Sequence, residues 1–102
     1  MGTHDRNLPW FDVYTKDHCP RCDQVIRHLE QLGAQYRARP LADHPEARRL
    51  AADQHVTSAP VVVAMTPVGL VAGVWGGFRP DKVRQHIDTY APSVWDEQEA
   101  GA

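Results

Sequence analysis

The chain has 102 residues, of which 42% are hydrophobic and 24% charged, and its 11 basic and 13 acidic side chains give a net charge of −2. This length fits one small domain over 1–102, and the weakly acidic balance offers no basic footprint for nucleic acid or an anionic membrane. No apolar run approaches the roughly 20 residues that cross a bilayer, and two cysteines are too few for the disulfide framework of a small secreted protein. With no apolar leader in its first residues, the sequence predicts a cytoplasmic protein that binds neither nucleic acid nor membrane.

The first third of the chain shows a strand pattern, a helix pattern and a weaker strand pattern. Large apolar residues alternate with polar ones over 11–15, which predicts a strand. From Pro20 to Leu32 the apolar positions fall on one helical face. Proline suits the first helical position and Gly33 the position just past the end. A second strand is predicted over 35–39.

A second helix is predicted to begin at an acidic cap. Asp43 is the expected N-cap because its carboxylate accepts from backbone N–H groups, Glu46 follows three residues later, and Pro45 falls in the first turn. The helix is expected to run to about Gln54. Its predicted buried positions are Ala47, Leu50 and Ala51.

Two successive strands are predicted in the second half of the chain. A β-branched run over 59–65 is too short for a helix and predicts a buried strand. A turn over 66–69 leads to another strand over 70–75, which Gly76 and Gly77 end.

The last predicted helix starts at Pro80, and its expected inner face carries Val83, Ile87 and Tyr90. The ordered core is predicted to span about 11–90, with a loosely held tail over 91–102 in which Trp95 is a candidate for docking.

This order, β-α-β-α-β-β-α, predicts an α/β fold. A strand-helix-strand unit implies a right-handed parallel crossover, and two successive strands imply an antiparallel hairpin. The four-stranded sheet is therefore expected to be mixed, with three helices covering its two faces.

The two cysteines stand at the junction between the first strand and the first helix, as Cys19-Pro20-Arg21-Cys22. At the N-cap, the sulfur of Cys19 lies near unpaired N–H groups and the positive end of the helix dipole, which favour the thiolate. Cys22 is expected one turn later on the inward face. Lys16 and His18 precede the pair, and either cation would stabilise the thiolate further.

Three interpretations of the pair are open. The favoured one is a dithiol/disulfide redox pair, in which Cys19 attacks a substrate disulfide and Cys22 resolves the mixed disulfide. The second is two buried cysteines acting as small hydrophobes. The third is a metal site, but structural zinc needs four ligands at short spacings, and no two of the six histidines lie within five residues of each other.

A proline opens the third predicted strand, at Ala59-Pro60. Proline donates nothing to a sheet ladder, whereas X-Pro is the linkage at which a cis peptide bond costs little. With the cysteine pair upstream we expect a cis Ala59–Pro60 bond, which would leave the backbone of Ala59 available to pair with an extended substrate.

Three segments in this order resemble the thioredoxin superfamily, and within it the glutaredoxins and NrdH-type redoxins. They are Val13-Tyr14-Thr15-Lys16, Cys19-Pro20-Arg21-Cys22 and Ala59-Pro60-Val61-Val62. The segment that discriminates is 75–81, Trp-Gly-Gly-Phe-Arg-Pro-Asp, which matches the Trp-Ser-Gly-Phe-Arg-Pro-Asp of NrdH-type redoxins at six of seven positions. The departure is Gly76 in place of serine. The acidic pair that follows Gly-Gly in many glutaredoxins is absent.

The resemblance implies a monomeric dithiol electron donor with no bound cofactor beyond a redox-active Cys19–Cys22 disulfide. Redoxins of this type are reduced by thioredoxin reductase, so that NADPH acts only through the reductase, and their usual client is a class Ib ribonucleotide reductase. The expected partner-binding residues are Lys16, Pro20, Arg21, Ala59, Pro60, Trp75, Phe78 and Arg79. For Trp75 and Phe78, packing is the more common role of such aromatics, and Arg79 is expected either to dock a partner or to fix its loop.

Two rival functions remain at this point. One is a glutathione-dependent glutaredoxin, which shares the chemistry but not the reductant. The other is a non-catalytic thiol sensor or binding module on the same fold.

Overall fold

The computed structural model describes residues 8–91, so that most of the predicted tail, including Trp95, lies outside the described residues. Within that range the strands are β1 (Trp10–Thr15), β2 (Gln35–Pro40), β3 (Val61–Met65) and β4 (Val71–Gly76). The helices are α1 (Pro20–Gln31), α2 (Pro45–Asp53) and α3 (Pro80–Tyr90), and a short 3-10 helix covers Leu41–Asp43. The predicted order of strands and helices is confirmed, with boundaries that differ by one or two residues.

The four strands form one mixed sheet in the order β2-β1-β3-β4. β1 and β2 run parallel because α1 carries the chain back between them, and β1 and β3 pair antiparallel. The turn after Met65 returns the chain as β4, antiparallel to β3. In that turn the N–H of Gly69 donates to the carbonyl of Thr66, and Gly69 has a φ of +86°, a conformation that glycine adopts without steric cost. The predicted mixed sheet with three helices is confirmed.

Alternation along the strands divides the core between the two faces of the sheet. Phe11 and Val13 pack with α1 and α3 on one face, whereas Tyr14 packs with α2 on the other. Leu29 of α1 is completely buried in the first cluster, and burial of such a side chain contributes about 1.5–3 kcal/mol. This larger cluster holds the N-terminal half of α1 against the sheet and thereby positions the cysteines.

Helix α2 begins one residue later than predicted. Asp43 ends the 3-10 helix, and the N-cap of α2 is His44, whose Nδ1 lies 3.0 Å from Oε1 of Glu46. The prediction of Asp43 as cap was wrong because Pro45, with its fixed φ, takes the first helical position, which makes the residue directly before it the cap. Of the predicted core positions, Ala47 and Ala51 are buried, and Leu50 packs against them while partly exposed.

Helix α3 buries a histidine where tyrosine was expected. Tyr90 is 40% exposed, whereas His86 is 6% exposed and packs edge-on to the ring of Phe11 at 5.1 Å. Nε2–H of His86 donates to the carbonyl of Met65 at 2.9 Å. A buried polar side chain requires such a partner, and only the tertiary fold places this carbonyl within reach of α3. The prediction for Tyr90 was therefore wrong.

The second face of the sheet also buries a charge. Asp12 of β1 is 4% exposed and accepts two hydrogen bonds from Arg37 on β2, at 2.8 and 3.0 Å. The guanidinium lies 5.6 Å from the ring of Trp10. Both oxygens of this buried carboxylate are therefore paired with the guanidinium of Arg37.

Within residues 8–91, none of the helices combines the length and the apolar character that crossing a membrane requires.

Candidate active site

Cys19 caps the N-terminus of α1, as predicted. Its backbone is extended, and its Sγ accepts a hydrogen bond from the N–H of Cys22 at 3.2 Å. Pro20 occupies the first helical position, where its missing N–H costs nothing. The sulfur therefore lies at the positive end of the helix, where negative charge is stabilised.

Cys19 and Cys22 form a disulfide, with their Cα atoms 5.3 Å apart. Cys19 is 7% exposed and Cys22 is 1% exposed. Both residues are buried, but Cys19 is the less buried of the two and lies nearer the surface.

The loop between β1 and α1 is exposed. Lys16 and His18, the two cations considered for stabilising the thiolate, both lie on its surface. His18 has a φ of +53°, a left-handed conformation that only a few per cent of non-glycine residues adopt. The chain uses this conformation to pass from the end of β1 into the cap of α1.

The Ala59–Pro60 bond is cis, as predicted. Pro60 is fully buried just before β3, while Ala59 remains partly exposed. The carbonyl of Pro60 accepts the N–H of Gly77 at 3.1 Å, and Gly77 has a φ of +76°. The loop before β3 is thus joined to the end of β4.

A surface cleft of about 490 Å3 lies beside these loops. It brings together five of the predicted partner-binding residues from four parts of the chain: Arg21, Ala59, Pro60, Trp75 and Arg79. Among the described residues, Lys16, Pro20 and Phe78 are not part of its lining, nor are the cysteines themselves. Arg21 extends the cleft to the cysteine pair. We call this cleft the active-site groove.

The two aromatic residues of the 75–81 segment are packing residues in this structure. Trp75 is 7% exposed and lies edge-on to Phe11, with 6.3 Å between ring centroids. Phe78 is partly buried against the same cluster and contacts His28 edge-on at 5.3 Å. Trp75 forms one wall of the groove, whereas Phe78 ties the loop before α3 to α1.

Arg79 precedes Pro80 as the cap residue of α3. Its guanidinium donates two hydrogen bonds to the carboxylate of Asp81, at 3.1 and 2.9 Å. This bonding holds the pKa of Asp81 below its usual value. Both side chains are exposed, so the pair fixes the loop and leaves part of the guanidinium facing solvent.

The structure accounts for glycine at position 76. A Cβ built on Gly76 would lie 2.6 Å from Cγ1 of Val56, far inside van der Waals contact. Val56 is β-branched and has little rotamer freedom, so it cannot move aside easily. Sequence reasoning missed Val56 because it lies 20 residues from Gly76, in the loop after α2.

Among residues 8–91, His, Cys, Asp and Glu side chains form no group of three or more that could hold a metal ion.

Comparison with known proteins gives the family. The Glutaredoxin family model matches residues 12–66, slightly more than half of the chain. The chain belongs to the glutaredoxin family. With its Cys19–Cys22 disulfide it is a thiol-disulfide oxidoreductase with an NrdH-type thioredoxin-like fold. No curated protein matches the chain.

Solved structures similar to this chain include a redoxin and a thioredoxin-like protein. One is the NrdH-redoxin from Escherichia coli, described as a glutaredoxin-like protein with a thioredoxin-like activity profile. It is 27% identical to this chain with a TM-score of 0.57, and the match covers 74% of this chain and 91% of that one. The thioredoxin-like protein BC3987 is 28% identical with a TM-score of 0.53, over 74% of this chain and 97% of that one. A mutant of BC3987 matches at 25% identity and a TM-score of 0.56, over 76% and 94%.

Proposed function

We propose that this chain is a dithiol electron donor that reduces a disulfide in a client protein and is itself reduced by thioredoxin reductase with NADPH. The observation that carries the proposal is the Cys19–Cys22 disulfide at the start of α1, in which Cys19 is the less buried residue. The similarity to the E. coli redoxin, whose activity profile is described as thioredoxin-like, supports the choice of reductant.

The reaction begins with the reduced dithiol. The thiolate of Cys19 attacks one sulfur of the client disulfide, so that a Cys19–client bond forms and the client's own S–S bond breaks. The released client sulfur leaves as a thiolate and takes up a proton. The N–H of Cys22, which donates to Sγ of Cys19 in the oxidised protein, is placed to stabilise the attacking thiolate.

The second step releases the reduced client. Cys22 loses its proton and attacks Sγ of Cys19, which forms the Cys19–Cys22 disulfide seen in the structure. The second client sulfur leaves as a thiolate and is protonated. Two electrons and two protons have then moved to the client, and the reductase returns two electrons to the protein.

The active-site groove positions the client in this scheme. Ala59, which is partly exposed, lines the groove with buried Pro60 beside it, and this arrangement suits an extended client segment. The similarity to NrdH-type redoxins favours a class Ib ribonucleotide reductase as the client. A monomer of this protein would reduce it in the cytoplasm.

A coupled assay with insulin as the disulfide substrate tests the proposal. We expect NADPH consumption with thioredoxin reductase and little with glutathione and glutathione reductase. The blank is the Cys19→Ser variant in each arm. Activity only in the glutathione arm would show a glutathione-dependent glutaredoxin instead, and activity in neither arm would favour a thiol sensor.

A further inference from the structure

The active-site groove has a charge opposite to that of the chain. Arg21, Arg79 and Lys82 line it, with His55 on the same surface. None of the described lining residues carries a carboxylate, although the chain as a whole has a net charge of −2. Positive charge is therefore concentrated in the groove, where Arg21 lies between the two cysteines in the sequence.

Two of these cations are available to a partner. Arg79 is held by Asp81, which neutralises much of its charge. Arg21 is exposed in the first turn of α1, and Lys82 is partly exposed, with its Nζ 6.0 Å from the ring centroid of Trp75. Asp23, also in the first turn of α1, is not among the lining residues.

We propose that the groove selects client disulfides flanked by acidic residues, an inference that rests on the proposed function. Arg21 and Lys82 come from the starts of two different helices, α1 and α3, and both line the groove that a client segment would occupy. An acidic side chain that comes within the screening length, about 8 Å at physiological salt, is attracted to these charges. A basic segment is repelled by the same two charges.

Three synthetic disulfide peptides test this selection. They share one disulfide loop and differ only in whether Glu, Gln or Lys flanks it. The prereduced protein is mixed with each peptide, and the second-order rate of oxidation of the protein is followed by acid quenching and mass spectrometry. This single-turnover format needs no reductase.

For the wild-type protein we expect the Glu peptide to react on the order of tenfold faster than the Lys peptide at low salt. The Gln peptide should lie between them. Raising the ionic strength should narrow the gap, because the charges that steer the peptide are solvent-exposed. The ratio of the Glu rate to the Gln rate reports groove charge, since a change in sulfur chemistry alters both rates alike.

Two charge reversals and a matched control locate the effect. Lys82→Glu and Arg21→Glu should each abolish or invert the preference for the Glu peptide. Arg48→Glu makes the same change as Arg21→Glu on the exposed surface of α2, outside the groove. It should leave the Glu-to-Gln ratio unchanged.

Several outcomes would overturn the proposal. Equal rates for the three peptides would contradict the selection and leave the reductase function intact. The same conclusion would follow if Arg48→Glu changed the Glu-to-Gln ratio as much as Lys82→Glu. Glutathione disulfide serves as a fourth substrate. If Lys82→Glu changes only the rate with glutathione disulfide, the groove binds a small thiol rather than an acidic client segment. If none of the peptides oxidises the protein, the proposed function fails, and the selection fails with it.

Discussion

Trp75 borders two clefts in the described part of the chain, residues 8–91, and these clefts differ in chemistry. The active-site groove is the smaller, at about 490 Å3. The larger, about 590 Å3, lies along β4 and shares Gln54, Val74, Trp75 and Lys82 with the groove. Its described lining contains a buried histidine, His86, and a carboxylate, Asp53, whereas the groove is lined by Arg21, which lies between the two cysteines in the sequence. We call it the β4 cleft.

The difference shows that chemistry follows chain geometry rather than volume. The active-site groove lies where two helices begin and where the loop before β3 meets the end of β4. Helix starts supply unpaired N–H groups and a positive potential that stabilise an anionic sulfur. The β4 cleft is lined mostly by β4, by the last turn of α2 and by α3, away from the start of α1 where the cysteines lie.

Removing the sulfurs should have the largest effect. Cys19→Ser should abolish reduction of insulin, because no nucleophile then faces the client. Cys22→Ser should form a mixed disulfide with the client that persists, because the resolving thiol is gone. Turnover measures the first effect and non-reducing gel electrophoresis with mass spectrometry the second. Unchanged turnover in both variants would show that the groove is not catalytic.

Adding a side chain at Gly76 should have the next largest effect, on stability. Gly76→Ser places a Cβ against Val56, and overpacking of this kind costs about 1–3 kcal/mol. Chemical denaturation should therefore show a lower free energy of unfolding for this variant. The double variant Gly76→Ser with Val56→Ala should recover part of the loss, and no recovery would mean that Val56 is not the obstacle.

Acid should destabilise the folded protein through His86, which lines the β4 cleft. Burial lowers the pKa of His86, while its hydrogen bond to the carbonyl of Met65 raises it, and burial is the larger effect. The folded state therefore binds fewer protons than the unfolded state in the interval below the ordinary value of about 6.5. The free energy of unfolding should fall as the pH drops through that interval.

The His86→Gln variant isolates this contribution. Glutamine cannot titrate, and its amide can still donate a hydrogen bond. Urea unfolding at several pH values should show a shallower loss of stability in acid for the variant than for the wild-type protein. Equal slopes would contradict the role of His86, and turnover near neutral pH should be unchanged because the β4 cleft lies apart from the cysteines.

Removing the ion pair between Arg79 and Asp81 should have the smallest effect on stability. Asp81→Asn removes an exposed ion pair with Arg79, and such pairs contribute about 0.2–1 kcal/mol. The midpoint of denaturation should move only slightly. The same variant leaves the charge of Arg79 uncompensated, so the Glu-flanked peptide should react faster with it, and a slower reaction would contradict a steering role for groove charge.

The sequence by itself determined the fold class and the centre of the site. Alternation over 11–15 and helical spacing from Pro20 are local patterns, and they place Cys19 at a helix start without knowledge of any distant contact. Proline at the first position of each helix fixed where the helices begin, because its φ is locked.

The tertiary structure decided what depends on residues far apart in the chain. It buried His86 because the carbonyl of Met65, 21 residues earlier, faces α3, and it required glycine at 76 because Val56 packs there. It also collected Arg21 and Lys82 from two helices into one groove. These features depend on contacts between residues far apart in the sequence, and local periodicity cannot predict such contacts.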